Sequence, residues 1–384
     1  MKKIRTMFLL GNLSIGGSET KFVRLANRLS SQGHDVHVVA LGSPYTLRDR
    51  LTDEVSVYCL ERQSRFSLKN LLRLRKYVTS RRIDTIVCVN PYPLIYGWPL
   101  SLLTGRSGPK CIASINTSEL QSRRDAYFML IYGYILRRCD VVIFGANRQA
   151  DSWTEKYRIP KRKVTVIHNG VDIRFFQSYQ QDRHDLRQTF EIPDDFRVVG
   201  CVAQLRPEKS HVTLLDAFEE LVRSRNLDAV LLLVGDGPEK DAIVDRARRL
   251  GIEDRLRMVG QVDDVRPYLA IMNAFVLPSV SVEVFSNAAL EAMSMGVVPI
   301  CSDVGGAREM IDHGIDGFIF PRKDTEALSQ YLYQVLTDQQ LAESMREQAR
   351  LKLHDKFTIE NMDEAYVRLL SSDKRDSAND SAVS

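Results

Sequence analysis

NAFVLPSVSVEVFSNAALEAMSMGVVPICSDVGG, residues 273–306, changes its hydrophobic period twice within 34 positions. Ala274 to Leu277 is a continuous apolar run of strand length, and Val298 to Cys301 is a second. Between them, from about Ser286, the spacing becomes helical. Two strands joined through a helix form a parallel crossover, and a parallel sheet must be covered on both faces. The small Ala288, Ala289 and Ala292 let that helix sit close to the sheet. Two acids do not fit a purely structural segment. Glu283 falls in the loop before the helix and Glu291 about two turns into it. Burying even a neutral polar group without a partner costs about 2–7 kcal/mol, so each acid must face something that pairs with it. A helix starting near Ser286 also turns the amides around Phe285, Ser286 and Asn287 outward at its positive end, where an anion is stabilised.

The same alternation extends in both directions. In the first half, strands are expected at Ile4–Leu10, Val36–Leu41, Val55–Leu60, Thr85–Val89, Cys111–Ile115, Val141–Phe144 and Val164–Ile167. Helices with an apolar stripe separate them at Gly17–Ser31, Leu68–Ser80, Leu120–Arg138 and Arg148–Tyr157. After a polar pause the pattern resumes at Arg197–Ala203, Ala229–Val234, Leu256–Val259, Ala274–Leu277, Val298–Cys301 and Phe318–Phe320. The fold class is therefore α/β, two Rossmann-like doubly wound parallel-sheet domains in tandem. We place the first at residues 1–172, a linker at 173–195 and the second at 196–356. A last helix is expected at 359–370, and residues 372–384 are too polar to pack and are expected to be disordered.

Charge divides the two halves more sharply than sequence pattern does. Residues 1–172 carry 28 Lys and Arg against 13 Asp and Glu, a net +15, whereas residues 173–384 carry 25 against 36, a net −11. A domain this basic expects an anionic partner: nucleic acid, a phosphorylated ligand or a membrane surface. No nucleic-acid-reading motif is visible, which argues against the first. The six cysteines are scattered through apolar runs without a CxxC pair, as reduced core thiols would be. The apolar run Met7–Leu10 is shorter than the ~7–15 residues of a secretory core, and Ala126–Leu136 is far below the ~20 that span a bilayer. A soluble or peripheral protein is expected.

In wound sheets, ligands bind beyond the carboxyl ends of the strands. Gly16 and Gly17 follow the first strand and open a helix, a place for close approach to an anion or simply for a tight turn. Asn116, Thr117 and Ser118 end the fifth strand, as ligand contacts or a helix cap. VIHNGVD, 166–172, reads as a hinge. VAQLRPEKSH, 202–211, brings Arg206, Lys209 and His211 to a strand tip, suited to phosphate or merely solvated. VGDGPE, 234–239, adds the amide of Gly235 near the same edge. Of the two acids, Glu283 can reach sugar-type hydroxyls, and Glu291, beside the helix start, can accept from a ribose diol.

With those motifs in place, SVEVFSNAALEAMSMGVVPICSDVGGAREMI, 281–311, resembles the E-x7-E signature of retaining glycosyltransferases of family 4, bacterial polysaccharide-type enzymes with the GT-B fold of two Rossmann-like domains facing across a cleft. IGGSETKFVRLANRL, HNGVD, VAQLRPEKSH, VGDGPE and DGFIFP follow in the family's order and spacing, so the resemblance covers about residues 1–370. It implies that Lys209 binds the donor diphosphate, Glu283 contacts the transferred sugar, Glu291 holds the ribose, and Gly17 lies against phosphate from the first domain. Phe285, Ser286 and Asn287 would offer amides to the same group. Glu283, Lys209 and Arg206 form the expected catalytic set. Gly16 and Gly17, Gln204, Gly235, the three amide donors and Glu291 form the donor-binding set, with Asn116 on the acceptor side. The last helix would cross back to the first domain. Three positions depart from the family: Gln204 where Arg is usual, Asn116 where His is frequent, and Val284 where Gly follows the first acid.

The implied reaction passes a sugar from a nucleotide-diphosphate donor to a glycan or polyprenyl-linked acceptor in cell-surface polysaccharide synthesis. Lys209 and the helix start would stabilise charge developing on the leaving diphosphate. No D-x-D clamp occurs, so no metal and no other cofactor is expected. LKNLLRLRKYVTSRR, 68–82, and DAYFMLIYGYILRR, 125–138, suit an anionic membrane surface, with a buried helix carrying solvated basic ends as the alternative. The expected location is cytoplasmic, at the inner face of the membrane. A sugar-nucleotide epimerase of the same fold and a non-catalytic nucleotide-sugar-binding protein remain as alternatives.

Overall fold

The computed structural model describes residues 3–61, 64–104, 108–117, 123–179, 183–281 and 283–372. The chain divides into two compact units, one comprising Met1–His168 with Asp363–Ser384 and the other Asn169–Met362.

The first unit holds seven parallel strands: β1 Arg5–Leu10, β2 Asp35–Ala40, β3 Ser56–Cys59, β4 Thr85–Val89, β5 Lys110–Ile115, β6 Val141–Phe144 and β7 Val164–Val166. Their order is β3-β2-β1-β4-β5-β6-β7, which reverses direction between β1 and β4. Thr6–Leu10 of β1 and all of β4 are buried, as strands covered on both faces must be. The helix Gly17–Ser31 returns from β1 to β2 and buries Phe22, Val23, Leu25, Ala26 and Leu29, an apolar stripe at helical spacing. One helix was not legible in the sequence. Leu94–Leu103 (LIYGWPLSLL) is apolar on nearly every side and carries Pro99, so no stripe marks it. Gly97 lets it press onto β4, because a Cβ there would lie 2.1 Å from Cys88 Sγ.

The carboxy-terminal helix Ile359–Ser371 completes this unit by its second half. Tyr366 stands edge-on to Phe22 at 5.8 Å, Arg28 pairs with the buried Asp363 at 3.0 Å, and Lys110 Nζ donates to Ser372 Oγ at 3.1 Å. Of residues 372–384, expected to be disordered, Ser372 is placed by that bond, and 373–384 lie outside the described residues.

The second unit holds six parallel strands: β8 Arg197–Val202, β9 Ala229–Val234, β10 Leu256–Gly260, β11 Ala274–Leu277, β12 Val298–Ser302 and β13 Phe318–Phe320, ordered β10-β9-β8-β11-β12-β13. Here the reversal falls between β8 and β11. The segment read as a linker is largely packed. It contains the helices Ile173–Gln177 and Arg183–Thr189, buries Ile173, Phe176 and Ile192, and is tied to β10 by Arg257, whose Nε donates to Phe190 O at 2.6 Å. Its many polar residues cover solvent faces of short helices, which concealed them.

HNGVD is also more than a hinge. Val171 N donates to Phe357 O at 2.9 Å and Ile359 N to Val171 O at 3.0 Å, while a Cβ at Gly170 would lie 2.3 Å from Thr358 O. All six cysteines are free thiols, five of them buried. Among the described residues no helix is long and apolar enough to cross a membrane.

Candidate functional site

In the second unit, the loops leaving β8 and β11 start on either side of the topological switch, the position at which wound sheets open a crevice for ligands. They bring together two of the three residues expected to act in catalysis. Lys209 ends a one-turn helix at Pro207–Lys209, and its Nζ lies 2.5 Å from Glu283 Oε2. Only 20% of the lysine side chain and 16% of the glutamate remain exposed, so the pair is weakly screened by water. The loops are tied by Val280 N donating to Glu208 O at 2.9 Å. Ser279 Oγ donates to the same glutamate oxygen at 3.3 Å, and Ser302 Oγ donates to Ser279 O.

The glycine-rich loop after β12 cradles this glutamate. Gly305 has φ +57°, and a Cβ there would lie 2.1 Å from Glu283 O; next to it Gly306 N donates to Val284 O at 2.7 Å. Beneath Lys209, burial and then the lysine's charge hold His211 down at about 4, so it stays neutral at ordinary pH. Burial also pushes the Cys201 thiol up to about 12, and burial followed by the Glu283 charge raises Cys301 further. Neither thiol is available as a nucleophile.

The helix beyond is Asn287–Ser294, with Ser286 as its cap: Ser286 Oγ accepts from Ala289 N at 3.2 Å. Helix geometry gives the amides of Asn287 and Ala288 no acceptor within the helix. Phe285 is buried against Phe357, ring centroids 5.1 Å apart, and Asn169 Nδ2 donates to Phe285 O at 2.9 Å. The asparagine of HNGVD thus positions the helix entry, a role its sequence signal did not convey. Glu291 is half-buried and is the fifth helical residue, little more than one turn in and not two, although the helix starts close to where it was expected.

Three other expected contributors are placed differently. Arg206 stays about half exposed, its nearest acid being Glu208 at 3.9 Å, and does not join Lys209 and Glu283; the turn at Pro207 carries it outward. Gln204 is exposed on the same strand exit. Gly235 cannot act through its amide, which donates to Gly260 O at 2.8 Å. Its contribution is steric: at φ +136° a Cβ would lie 2.0 Å from Ala203 O, so glycine lets β9 press the strand exit that carries Gln204 to Lys209.

In the first unit, the carboxyl edge at the switch between β1 and β4 carries a cluster that sequence reasoning saw only in part. Lys21, in the first turns of the helix opened by Gly16 and Gly17, donates to Asn116 Oδ1 at 2.6 Å. Asn116 Nδ2 in turn donates to Ser114 O at 3.2 Å, and Asn116 N to Asn90 Oδ1 at 3.1 Å. Asn90 adopts φ +69° and reaches Ser18 Oγ at 3.4 Å. Ser118 lies outside the described residues. A Cβ at Gly17 would meet nothing within 4 Å and its φ is not positive, so the unit itself does not require glycine there.

Lys21 was missed because a lysine between Thr20 and Phe22 reads as a solvated helix charge, whereas it is 7% exposed. Burial and then Arg24 hold its pKa down to about 7. A base whose folded pKa lies below its unfolded value carries stability that is complete only above the unfolded pKa and falls away as pH drops toward the folded one. The contribution of Lys21 to folding should therefore become more favourable from pH 7 to 10. Lys21→Met should flatten that rise. Denaturant melts of both proteins at pH 7 and 9.5 check this; a parallel pH dependence in the two would refute it.

Two known families match the chain. Residues 15–175 match the family described as Glycosyltransferase Family 4, and residues 182–352 the family described as Glycosyl transferases group 1. N-acetyl-alpha-D-glucosaminyl L-malate synthase of Bacillus anthracis is 26% identical over 381 residues, covering 95% of this chain and 96% of its own. The Escherichia coli UDP-Gal:alpha-D-GlcNAc-diphosphoundecaprenol alpha-1,3-galactosyltransferase is 24% identical, covering 86% of this chain and 87% of its own. Among solved structures, Anabaena Alr3699/HepE in complex with UDP superposes with a TM-score of 0.85 at 19% identity, covering 96% of this chain and all of that one.

Proposed function

The chain belongs to the group 1 glycosyltransferases, with a family 4 amino-terminal unit and the two Rossmann-like sheets of the GT-B fold, and from this we propose that it moves a sugar from a nucleotide diphosphate to a glycan or polyprenyl-linked acceptor with retention at the anomeric carbon. One observation carries the reading: an ammonium and a carboxylate, 2.5 Å apart, at the switch point of the second sheet, beside the start of a helix. Lysine has three N–H donors and Glu283 takes one, leaving others for a phosphate oxygen. As the bond between the anomeric carbon and the diphosphate oxygen breaks, negative charge grows on that oxygen. Lys209 and the amides of Asn287 and Ala288 then bind it more strongly than in the ground state. The acceptor oxygen attacks on the face the diphosphate leaves, and its proton passes to the departing phosphate oxygen. Glu283 holds sugar hydroxyls and Glu291 the ribose diol.

The Escherichia coli relative's substrates are a UDP-sugar and a diphosphoundecaprenol-linked sugar, which favours a lipid-linked acceptor in cell-surface glycan synthesis here. Features of the first unit support this reading. Leu68, Leu72, Leu102 and Leu130 are more than half exposed, beside Arg73, Arg75 and Lys76, and Arg138 stacks 3.5 Å from the Tyr134 ring. Exposed leucines and basic side chains together suit the cytoplasmic face of an anionic membrane.

Incubation of the full chain with a panel of nucleotide sugars should give one marked thermal stabilisation, following RT ln(1+[L]/Kd). With that donor and a polyprenyl-diphosphate sugar, NMR of the product should show the donor's anomeric configuration, with unchanged turnover in EDTA. Inverted product sinks the retaining reading; activity lost in chelator and restored by Mg2+ sinks metal independence. Turnover of donor alone would point to an epimerase.

A further inference from the structure

The second unit contains a cavity of about 500 Å3 that the transfer reaction does not use. It lies at the opposite edge of the sheet from Lys209 and Glu283. Arg197 begins β8, Met272 and Asn273 precede β11, and Gly296 and Val297 precede β12, so a strand's length, about 20 Å, separates the two places.

Three guanidinium groups line it: Arg183, Arg197 and Arg346, from a short helix, a strand start and the helix Gln339–Lys356. Among the described residues none of the three forms an ion pair with a carboxylate, although most arginines of this unit do. Glu343, one turn before Arg346, attracts it but takes its own hydrogen bond from Gln339 Nε2 at 2.7 Å. Burial foremost, and then repulsion from Arg183 and Arg197, lower the pKa of Arg346. Three cations, Arg346 half-buried and Arg183 and Arg197 exposed, thus converge on one partly enclosed space beside the single acid Glu343, and a bound anion relieves the repulsion that remains. Asn273 adds a donor: its Oδ1 accepts from Val198 N at 2.7 Å, which leaves Nδ2 for the cavity wall.

The floor is apolar, built by Met272, Val335 and Leu336 among others. Guanidinium forks match phosphate oxygens in pairs, and a cavity of this size takes more than a bare ion. We propose that this cavity is a second, non-catalytic site for a small phosphorylated molecule, whose phosphate is gripped by Arg183, Arg197 and Arg346 while its carbon skeleton rests on the methionine and leucine floor. Occupancy would tie the helix Gln339–Lys356 to the sheet and so stabilise the unit whether or not donor is present.

Isothermal titration of the full chain with glucose 1-phosphate, with pyrophosphate as second probe, tests this, UDP serving as reporter of the donor site. Binding should persist in saturating UDP. It should weaken at least about tenfold in the double variant Arg197→Gln, Arg346→Gln, the loss of one or two charge-assisted contacts, with UDP affinity unchanged. Lys209→Ala should do the reverse. Displacement of both probes by UDP, their loss in Lys209→Ala, wild-type binding in the double arginine variant, or no heat from either probe at millimolar concentration would each overturn the proposal. Should the double variant fail to fold, the UDP competition on the unaltered chain decides alone.

Discussion

Lys209→Ala is expected to lower kcat/KM for sugar transfer by about 10²–10³-fold, the loss typical of removing one pre-placed donor to a developing oxyanion. Most of the change should appear in kcat, because the ammonium binds the departing diphosphate more strongly than the intact donor. Removal also leaves Glu283, only 16% exposed, beside the neutral Ser279 Oγ with its cation gone, so the carboxylate becomes costly to keep ionised. Lys209→Met, which keeps the stem and deletes only the charge, separates the two consequences. If the amine acts on the leaving group, Met and Ala should be equally slow; if it only positions Glu283, Glu283→Gln should restore part of the rate in the Lys209→Met background. A double-mutant cycle on Lys209 and Glu283 should be strongly non-additive, as expected for groups in contact. Steady-state kinetics with the donor selected by thermal shift supplies the numbers. A loss below tenfold in Lys209→Ala would remove this lysine from the chemistry.

Gly235→Ala should have the largest effect on folding of any single methyl addition near the site. The new Cβ would fall 2.0 Å from Ala203 O and 2.9 Å from Ala203 C, both backbone atoms that cannot rotate away. At φ +136° the alanine is strained as well. Relief requires β9 to withdraw from the strand exit at Ala203–Leu205, whose amides are fixed by Val234 O and Asp236 O at 3.0 Å each. A cost of about 3–5 kcal/mol follows, the range reserved for steric clashes that a core cannot absorb. Urea denaturation of the variant should show it, with donor affinity falling in whatever fraction stays folded. Gly296→Ala is the control: φ is also positive at +72°, but nothing lies within 4 Å, so only the backbone term of about 1 kcal/mol applies. Equal effects of the two substitutions would mean that the close approach at Ala203 is not needed.

Strands were legible in the sequence because apolar runs three to seven residues long, bounded by polar turns, have no other stable use in a wound sheet. Their spatial order was not, since each strand is almost equally apolar and order is set by crossover handedness and packing. The helix Leu94–Leu103 escaped for the opposite reason, being too apolar to show a period. Within the site, Lys209 and Glu283 could be grouped in advance because both follow strands in the motifs that carry the family resemblance. Arg206 could not be separated from them, because a one-turn helix at Pro207 decides which of two cations turns inward. Gly235 shows a further limit. A glycine at a strand exit signals close approach, but only the register of β9 reveals that backbone, and not ligand, approaches it. Lys21 shows the converse, a charge whose burial depends on what the fold brings over it.

The closure of the first sheet by residues 363–372 has a bearing on how this protein comes into being. A ribosome finishes Val166, the last strand of that sheet, nearly two hundred residues before it makes Asp363, Tyr366 and Ser372. During that interval Phe22 lacks Tyr366 and Lys110 lacks Ser372, so the segment translated first waits on the segment translated last. Order of birth and order of maturation are inverted, and a nascent chain stalled shortly before Asp363 should expose the Phe22 face to chaperones while its second sheet is already protease-resistant.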